Sequence, residues 1–245
     1  MDTPQAKTHL VGVIKPTSRP ETLADTDLVE HLPAAIRIEN TRLNFTRGTA
    51  DEFTAAMPAY EEKIGEFARQ GAELVLPSGA PPFMLLGYDG EAKLVDSWEK
   101  KHKTQVFTSG QNHVRALKAL GIKRFVGASY FPEQLNQTFA TYFKQAGFEA
   151  LSMEGIGVPF LEVPKFPPEK ILAQIKRQAK ESPTADGVYM LGSAWRTIDI
   201  IAQIERETGL PVVHPVPARF WEIQIRLGFR QRLEGYGRLL TEMPN

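Results

Sequence analysis

Lys15, Tyr130 and His214 can carry charge or exchange protons, and each stands where a short apolar run of the sequence ends. A desolvated lysine serves as a base or a nucleophile, and a tyrosine hydroxyl donates a hydrogen bond to an oxyanion. Histidine exchanges protons near neutral pH. These residue types, placed at the ends of predicted strands, indicate acid–base chemistry on a small molecule.

Each of the three also has a structural interpretation. Lys15 could reach solvent from the sheet edge, or pair statically with a substrate carboxylate. Tyr130 could be a tyrosine at the edge of the core, and His214 a buried histidine whose nitrogens are satisfied. Histidine needs the smallest change in pKa to act near pH 7, because its ordinary value is about 6.5. The sequence therefore ranks His214 slightly ahead of Lys15 as the acid or base.

Small and hydroxylated residues surround the same strand ends. Short turns expose backbone N–H groups, and a helix that begins just after such a turn favours an anion. These turns could equally be plain connections from strand to helix. The candidate substrate-binding residues of this kind are Thr17, Ser18, Ser78, Gly79, Ala80, Gly192 and Ser193. The predicted ligand is a small carboxylate.

Composition excludes several other functions. The chain contains no cysteine, which excludes thiol catalysis, thiolate metal sites and disulfides. No His, Asp and Glu spacing predicts a metal site. Lys plus Arg and Asp plus Glu both number 29, and this balance argues against a nucleic-acid partner. A Ser193–His214–Asp199 triad stays open, although the chain has no Gly-x-Ser-x-Gly elbow.

Short apolar runs alternate with longer helical segments along the 245 residues. This alternation predicts an α/β fold with parallel strands covered on both faces. The predicted strands are Leu10–Ile14, Ala35–Glu39, Glu73–Leu76, Gln105–Thr108, Phe125–Ser129, Ala150–Met153, Gly187–Leu191 and Pro211–His214. The predicted helices lie near 51–70, 91–103, 110–120, 132–146, 168–181, 195–208 and 217–227. The proline-rich stretch Val158–Pro168 is predicted to be a loop.

A weak internal repeat divides this pattern into two similar halves. Val11-Gly12 recurs as Val126-Gly127, and Leu76-Pro77-Ser78 corresponds to Leu191-Gly192-Ser193, both 115 positions later. We expect the first half to comprise residues 1–112 and 215–245, and the second half residues 113–214. Ligands of parallel α/β sheets bind outside the carboxyl ends of the strands. The site is therefore expected in the cleft between the halves.

Several strings together resemble the Asp/Glu racemase superfamily, and within it the arylmalonate decarboxylase and maleate isomerase branch. The resemblance covers nearly the whole chain. The strings are Val11–Pro16, Gly71–Val75, Tyr130 with Asn136, Thr197–Asp199, Pro217–Trp221 and Gly235–Leu239. The resemblance implies two four-stranded parallel halves related by a pseudo-twofold axis, and chemistry without metal or organic cofactor.

The same resemblance implies roles for individual residues. Enzymes of this family move protons at a carbon next to a carboxylate, with one or two cysteines at two turns; here those positions hold Ser78 and Gly192. Gly79 and Ala80 replace hydroxyl residues of the decarboxylase. Tyr130 matches a position whose hydroxyl binds the substrate carboxylate. Phe160 and Leu161 correspond to an apolar wall, which implies room for an aromatic or alkyl substituent.

Two functions remain at this stage. One is a cofactor-independent lyase or isomerase that acts on a small carboxylate, resembling a malonate-type decarboxylase with acid and base groups other than cysteine. The other is a non-catalytic protein that binds a small carboxylate in the same cleft. The start MDTPQAKTHL has no signal-peptide pattern, so a cytoplasmic protein without membrane association is expected. The oligomeric state is left open.

Overall fold

Two four-stranded parallel sheets form the frame of the protein, as the computed structural model describes for residues 8–16 and 28–245. The first sheet has the order β2-β1-β3-β4 and the second β6-β5-β7-β8. The strands are β1 His9–Lys15, β2 Ile36–Arg42, β3 Leu74–Pro77, β4 Gln105–Val106, β5 Arg124–Ser129, β6 Glu149–Gly155, β7 Gly187–Leu191 and β8 Val212–Val213. All eight predicted strands are present, and the predicted fold class is confirmed.

Helices connect the strands and cover the sheets. The α-helices are α1 Ala50–Ala55, α2 Met57–Arg69, α3 Ala80–Met84, α4 Tyr88–His102, α5 Ser109–Ala119, α6 Glu133–Gln145, α7 Pro168–Glu181, α8 Ile201–Thr208, α9 Pro215–Arg226 and α10 Arg238–Glu242. Two 3₁₀ segments are also present, Phe160–Lys165 and Ile198–Ile200. Within the described ranges, no helix has the length and apolar character that a membrane span requires.

The sheet register shows which positions of the two halves are equivalent. Ile14 of β1 pairs with Pro77 of β3, and Ser129 of β5 pairs with Leu191 of β7. Lys15 is therefore equivalent to Tyr130, as the repeat predicts. The next residues along β3 and β7 are Ser78 and Gly192, so the predicted match of Ser78 with Ser193 is wrong by one position. The cause is a connection between the paired strands that is one residue shorter in the second half.

Strand alternation sends the two faces of β1 to different parts of the core. Val11 and Val13 join the large apolar cluster that includes both sheets, whereas Ile14 joins a smaller cluster beneath α2. Glycine at position 12 of the repeated Val-Gly pair has a steric reason, because a β-carbon there would clash with the Phe67 ring of α2. Glycine thus allows the helix to pack directly on the strand.

Two local predictions need correction. The helix predicted over 51–70 is two helices, because Pro58 stands in the first turn of α2 and α1 ends at Ala55. The predicted loop over Val158–Pro168 contains the 3₁₀ segment Phe160–Lys165. Its tighter i→i+3 bonds, such as that from Glu162 N–H to Pro159 C=O at 2.8 Å, tolerate the nearby prolines.

Candidate functional site

Lys15 and Ser78 lie side by side at the carboxyl end of the first sheet. The Ser78 N–H donates to the Ile14 carbonyl at 2.8 Å, which fixes the turn against the end of β1. The Ser78 carbonyl accepts from the Tyr60 hydroxyl at 2.6 Å. Burial raises the pKa of Tyr60 far above its ordinary value, so this phenol keeps its proton. Ser78 itself is half-buried.

The first turn offers fewer N–H groups to an anion than its sequence suggests. Gly79 adopts φ +101°, a conformation that favours glycine, and its N–H donates to Ser109 Oγ at 3.1 Å. Helix α3 begins at Ala80 but continues with Pro81 and Pro82, which have no N–H. The N–H groups of Ser78 and Gly79 are already hydrogen-bonded, and Pro81 and Pro82 have none. Among residues 78 to 82, the Ala80 N–H is therefore the one for which no hydrogen bond is described above.

Tyr130 lies directly over Gly192 at the carboxyl end of the second sheet. A β-carbon built on Gly192 would fall 2.5 Å from the Tyr130 hydroxyl oxygen, and Gly192 has φ +107°. The phenol thus takes the space into which any side chain at position 192 would project. Tyr130 also packs on Phe131 at a centroid distance of 4.6 Å and edge-on to Trp195 at 5.4 Å.

Buried hydrogen bonds hold the backbone around Tyr130. Ser129 Oγ donates to Asn136 Oδ1 at 2.6 Å and accepts from the Phe131 N–H at 3.0 Å. The Asn136 amide donates to the Phe131 carbonyl at 3.1 Å. Asn136 is 1% exposed, so its part in the Tyr130-to-Asn136 motif is to fix the turn that presents the tyrosine.

Ser193 does not precede a helix as expected. Four bent residues separate Gly192 from Thr197, and the first helical segment begins at Ile198. The positive φ of Gly192 turns the chain away from the helical direction. Ser193 itself is exposed. The second turn therefore supplies no helix N-terminus to an anion.

His214 caps helix α9 rather than facing a cleft. Its Nδ1 accepts from the Val216 N–H at 3.2 Å, and its Nε2 lies 3.0 Å from Thr197 Oγ1. Because Nδ1 accepts, Nε2 carries the proton and donates to Thr197. The residue is 2% exposed. The triad of Ser193, His214 and Asp199 is contradicted, because the nitrogen that would face Ser193 is bonded to Thr197.

Aromatic contacts join the two strand ends across the halves. The ring centroid of Phe131, the residue after Tyr130, lies 6.4 Å from the ring centroid of Phe53 in α1. The centroid of the Phe45 ring lies 5.7 Å from that of Phe53 and 6.2 Å from that of Tyr60. The Tyr60 hydroxyl in turn donates a hydrogen bond to the Ser78 carbonyl. A continuous apolar path therefore links the Tyr130 end of one sheet to the Ser78 end of the other.

Lys15 lines a cavity that sequence reasoning missed. The cavity opens to solvent and is small, with about 10 Å³ of space for water centres, which is room for about one water molecule. Asn40 of β2 and Arg219 of α9 supply its other polar side chains; the apolar lining residues are Val13, Val29, Ile38 and Phe220. Arg219 is 9% exposed on a helix whose other faces are largely apolar. The sequence feature that could have indicated this cavity is a charged residue, Arg219, inside the otherwise apolar string Pro217–Trp221.

A buried carboxyl group lies behind the site, between the halves. Glu91 of α4 is fully buried and accepts hydrogen bonds from the hydroxyls of Thr108 and Tyr142, which belong to different halves. Burial raises the pKa of Glu91 to about 7, partly offset by these bonds. Nearby, burial lowers the pKa of His113 to about 3, and its Nδ1 lies 2.8 Å from the Tyr189 hydroxyl.

The remaining candidates are placed as follows. Thr17 and Ser18 lie outside the described residues. Phe160 and Leu161 begin the 3₁₀ segment, which the fully buried Val163 anchors to the core. Among residues 8–16 and 28–245, no group of three His, Cys, Asp or Glu side chains is arranged to hold a metal ion.

Comparison with known proteins identifies relatives across the whole chain. The family model for arylmalonate decarboxylase matches residues 11–240. Arylmalonate decarboxylase of Bordetella bronchiseptica is 24% identical over 241 residues, which cover 97% of this chain and 99% of that protein. Maleate isomerase Iso from Pseudomonas putida S16 superposes with a TM-score of 0.86 at 18% identity, covering 97% of this chain and 100% of that one.

A second solved structure has the same fold. A liganded mutant of arylmalonate decarboxylase superposes with a TM-score of 0.86 at 23% identity, over 96% of this chain and 100% of that one. At these identities the likeness to solved structures establishes the fold.

Proposed function

Because the chain belongs to the arylmalonate decarboxylase family, we propose that it is a cofactor-independent lyase or isomerase acting on a small carboxylate. A malonate-type decarboxylation is the reaction that the site favours. The relatives named above are a decarboxylase and an isomerase of small carboxylic acids by their names. No thiol can take part here, since the chain contains no cysteine.

One observation carries the proposal: two groups that can hold or move a proton occupy equivalent strand ends. Lys15 follows β1 and Tyr130 follows β5, at matching register in the two sheets. The apolar path from Tyr130 to Ser78 joins these ends, and hydrogen bonds fix the backbone at each. Groups of this kind at the carboxyl ends of parallel strands are suited to a small anionic substrate.

The residues have distinct roles in a decarboxylation. The bond from the α-carbon to one carboxylate breaks, carbon dioxide leaves, and the electron pair passes into the retained carboxylate as an enediolate. The Tyr130 hydroxyl donates a hydrogen bond to an enediolate oxygen, where charge develops. The Lys15 ammonium gives its proton to the α-carbon and regains one from solvent. His214, predicted as the acid or base, caps α9, so we assign the proton to Lys15 instead.

The direct test is turnover of a panel of acids followed by NMR in deuterated water. The panel contains malonate, methylmalonate, phenylmalonate and maleate, and the protein is first dialysed against a chelator and treated with iodoacetamide. We expect product from at least one acid at an unchanged rate after both treatments. Loss of activity with the chelator, restored by one added metal, would show that the chemistry depends on a metal.

A second function is favoured by one specific observation: the phenol of Tyr130 fills the space of a side chain at position 192. A protein that has lost a reacting group there could retain only carboxylate binding. Such a protein would bind acids of the panel with neither product nor deuterium exchange at the α-carbon. The NMR measurement therefore separates the two functions.

A further inference from the structure

The carboxyl group of Glu91 caps helix α5 from the neighbouring helix α4. Thr108 stands at the capping position of α5, but its hydroxyl makes no cap hydrogen bond and donates to Glu91 instead. The N–H of Gln111, in the first turn of α5, donates to the same carboxyl group. A carboxylate at a helix N-terminus satisfies a free N–H group and interacts favourably with the helix dipole. Glu91 thus takes the part of a capping side chain for α5.

Glycine at position 110 lets this carboxyl group reach the helix backbone. A β-carbon there would lie 2.5 Å from Glu91 Oε1 and 2.9 Å from the Tyr142 hydroxyl oxygen. Any other residue would therefore have to displace the carboxyl group or the phenol. Tyr142 belongs to α6 of the second half, and its hydroxyl donates to the other Glu91 oxygen. Glu91 thus fixes the first turn of α5 against the second half.

Ser109 joins the same turn of α5 to the candidate site. Its Oγ accepts from the Gly79 N–H at 3.1 Å, and the residue is 8% exposed. Gly79 follows Ser78, which lies beside Lys15 at the end of the first sheet. A set of hydrogen bonds and one helical turn therefore connects the second half with the Lys15 end of the site.

We infer that Glu91 is a positioning residue for the proposed reaction: through α5 and Ser109 it holds the turn at Gly79. The inference rests on the proposed function for its effect on turnover, and on the contacts alone for its effect on the turn. An ionised carboxylate accepts from both hydroxyls and from the Gln111 N–H. A protonated carboxyl group must donate its own proton, so one of the two hydroxyls loses its acceptor. The turn is therefore held most firmly when Glu91 is ionised.

Charged and titratable groups of three elements face Glu91. Burial disfavours the ionised carboxylate, and Arg115 of α5 favours it. Tyr142 of α6 and Tyr189 of β7 keep their protons, because burial raises the pKa of each far above its ordinary value. With the pKa of Glu91 at about 7, both of its forms are present near neutral pH. Ionisation lowers overall stability because the charge is buried, while it completes the hydrogen bonds that hold the turn.

The test is the pH dependence of the Gly79 amide resonance, followed by heteronuclear NMR without substrate. We expect the resonance to shift with a midpoint near pH 7 in the wild type and to stay constant in Glu91→Gln. Tyr142→Phe removes one donor to the carboxylate, so its midpoint should move to higher pH. This second variant is decisive if Glu91→Gln does not fold. The same titration in wild type and Glu91→Gln, or an unmoved midpoint in Tyr142→Phe, would overturn the inference.

Turnover supplies the functional readout. Ser109→Ala and Glu91→Gln should each lower kcat about two- to tenfold, the effect of one hydrogen bond, and leave KM unchanged. The double variant should be no slower than the slower single variant, because both substitutions act through Gly79. Losses that multiply in the double variant would show that the two residues act separately.

Glu205→Gln is the matched control. Glu205 is a half-buried carboxyl group that accepts from the N–H groups of Val212 and Arg238, at β8 and α10. Its substitution should lower stability but leave kcat and the Gly79 titration as in the wild type. Equal changes in Glu205→Gln and Glu91→Gln would reduce Glu91 to a general structural role. The NMR measurement uses no substrate, so an inactive wild type whose Gly79 resonance still titrates contradicts only the proposed reaction.

Discussion

The hydroxyl of Tyr130 lies 2.5 Å from the point where a β-carbon on Gly192 would be. The two residues end neighbouring strands of the second sheet, whose register pairs Ser129 with Leu191. Tyr130 thus supplies the functional group, and Gly192 supplies the space that the Tyr130 hydroxyl occupies. The equivalent pair in the first half, Lys15 and Ser78, keeps a side chain at both positions.

Adding a methyl group at Gly192 should disturb this arrangement measurably. Gly192→Ala is expected to destabilise the protein by about 2–5 kcal/mol, because overpacking costs roughly 1–3 kcal/mol and a left-handed φ about 1–2 kcal/mol. Chemical denaturation measures the change. In a Tyr130→Ala background, Gly192→Ala should lower the free energy of unfolding only by the cost of the left-handed φ, about 1–2 kcal/mol. Equal costs in both backgrounds would show that Tyr130 does not occupy this space.

Removal of the Tyr130 hydroxyl should impair function and leave the fold intact. Tyr130→Phe retains the ring contacts with Phe131 and Trp195. We expect turnover or carboxylate affinity to fall at least tenfold, because one charge-assisted hydrogen bond is worth about 1.5–3 kcal/mol. Circular dichroism should show an unchanged melting transition. An unchanged rate together with unchanged affinity would remove Tyr130 from the site.

His214 should behave as a helix cap in mutagenesis. His214→Ala is expected to lower the free energy of unfolding by about 1 kcal/mol or more, since it removes the acceptor for the Val216 N–H. His214→Asn can restore an acceptor at the cap and is the matched control. Its turnover at pH 7 should stay close to that of the wild type. An inactive but stable His214→Asn protein would return His214 to the role of acid or base.

Glu91 should make stability fall as pH rises towards 7. Burial raises its pKa from 4.5 to about 7 in the folded protein, so the folded state binds the proton more tightly than the unfolded state does. Its contribution is thus fully present below about pH 4.5 and is lost as pH rises through 7. Glu91→Gln, which cannot ionise, should lack this decline.

The measurement is the difference in unfolding free energy between wild type and Glu91→Gln from pH 4.5 to 8. His113 acts in the opposite direction, because its lowered pKa makes stability fall as pH drops from 6.5 towards 3. That contribution is common to both proteins and cancels in the difference. A difference that does not vary with pH would mean that Glu91 does not titrate in this range.

The strands and the equivalence of Lys15 with Tyr130 could be predicted from sequence, because buried parallel strands are apolar runs and the Val-Gly repeat aligns the halves. The repeat alone did not give the equivalence of Ser78 with Gly192, since the connection is one residue shorter in the second half; the family resemblance placed both residues at corresponding positions. The pairing of Glu91 with Tyr142 joins residues 51 positions apart, and no local pattern reports it. The capping position of His214 could have been predicted, because a histidine followed by Pro215 fits a cap before a proline at the first helical position.

The central claim is that a site without thiol, metal or cofactor converts a small carboxylate through groups at the strand ends. The most direct measurement is the rate and deuterium content of the product formed in deuterated water by chelator-dialysed wild type and Lys15→Met. The account predicts a product with one deuterium at the α-carbon from the wild type, and a rate at least tenfold lower for Lys15→Met. Equal rates for the two proteins, or a wild type that binds the acid without product or exchange, would contradict it.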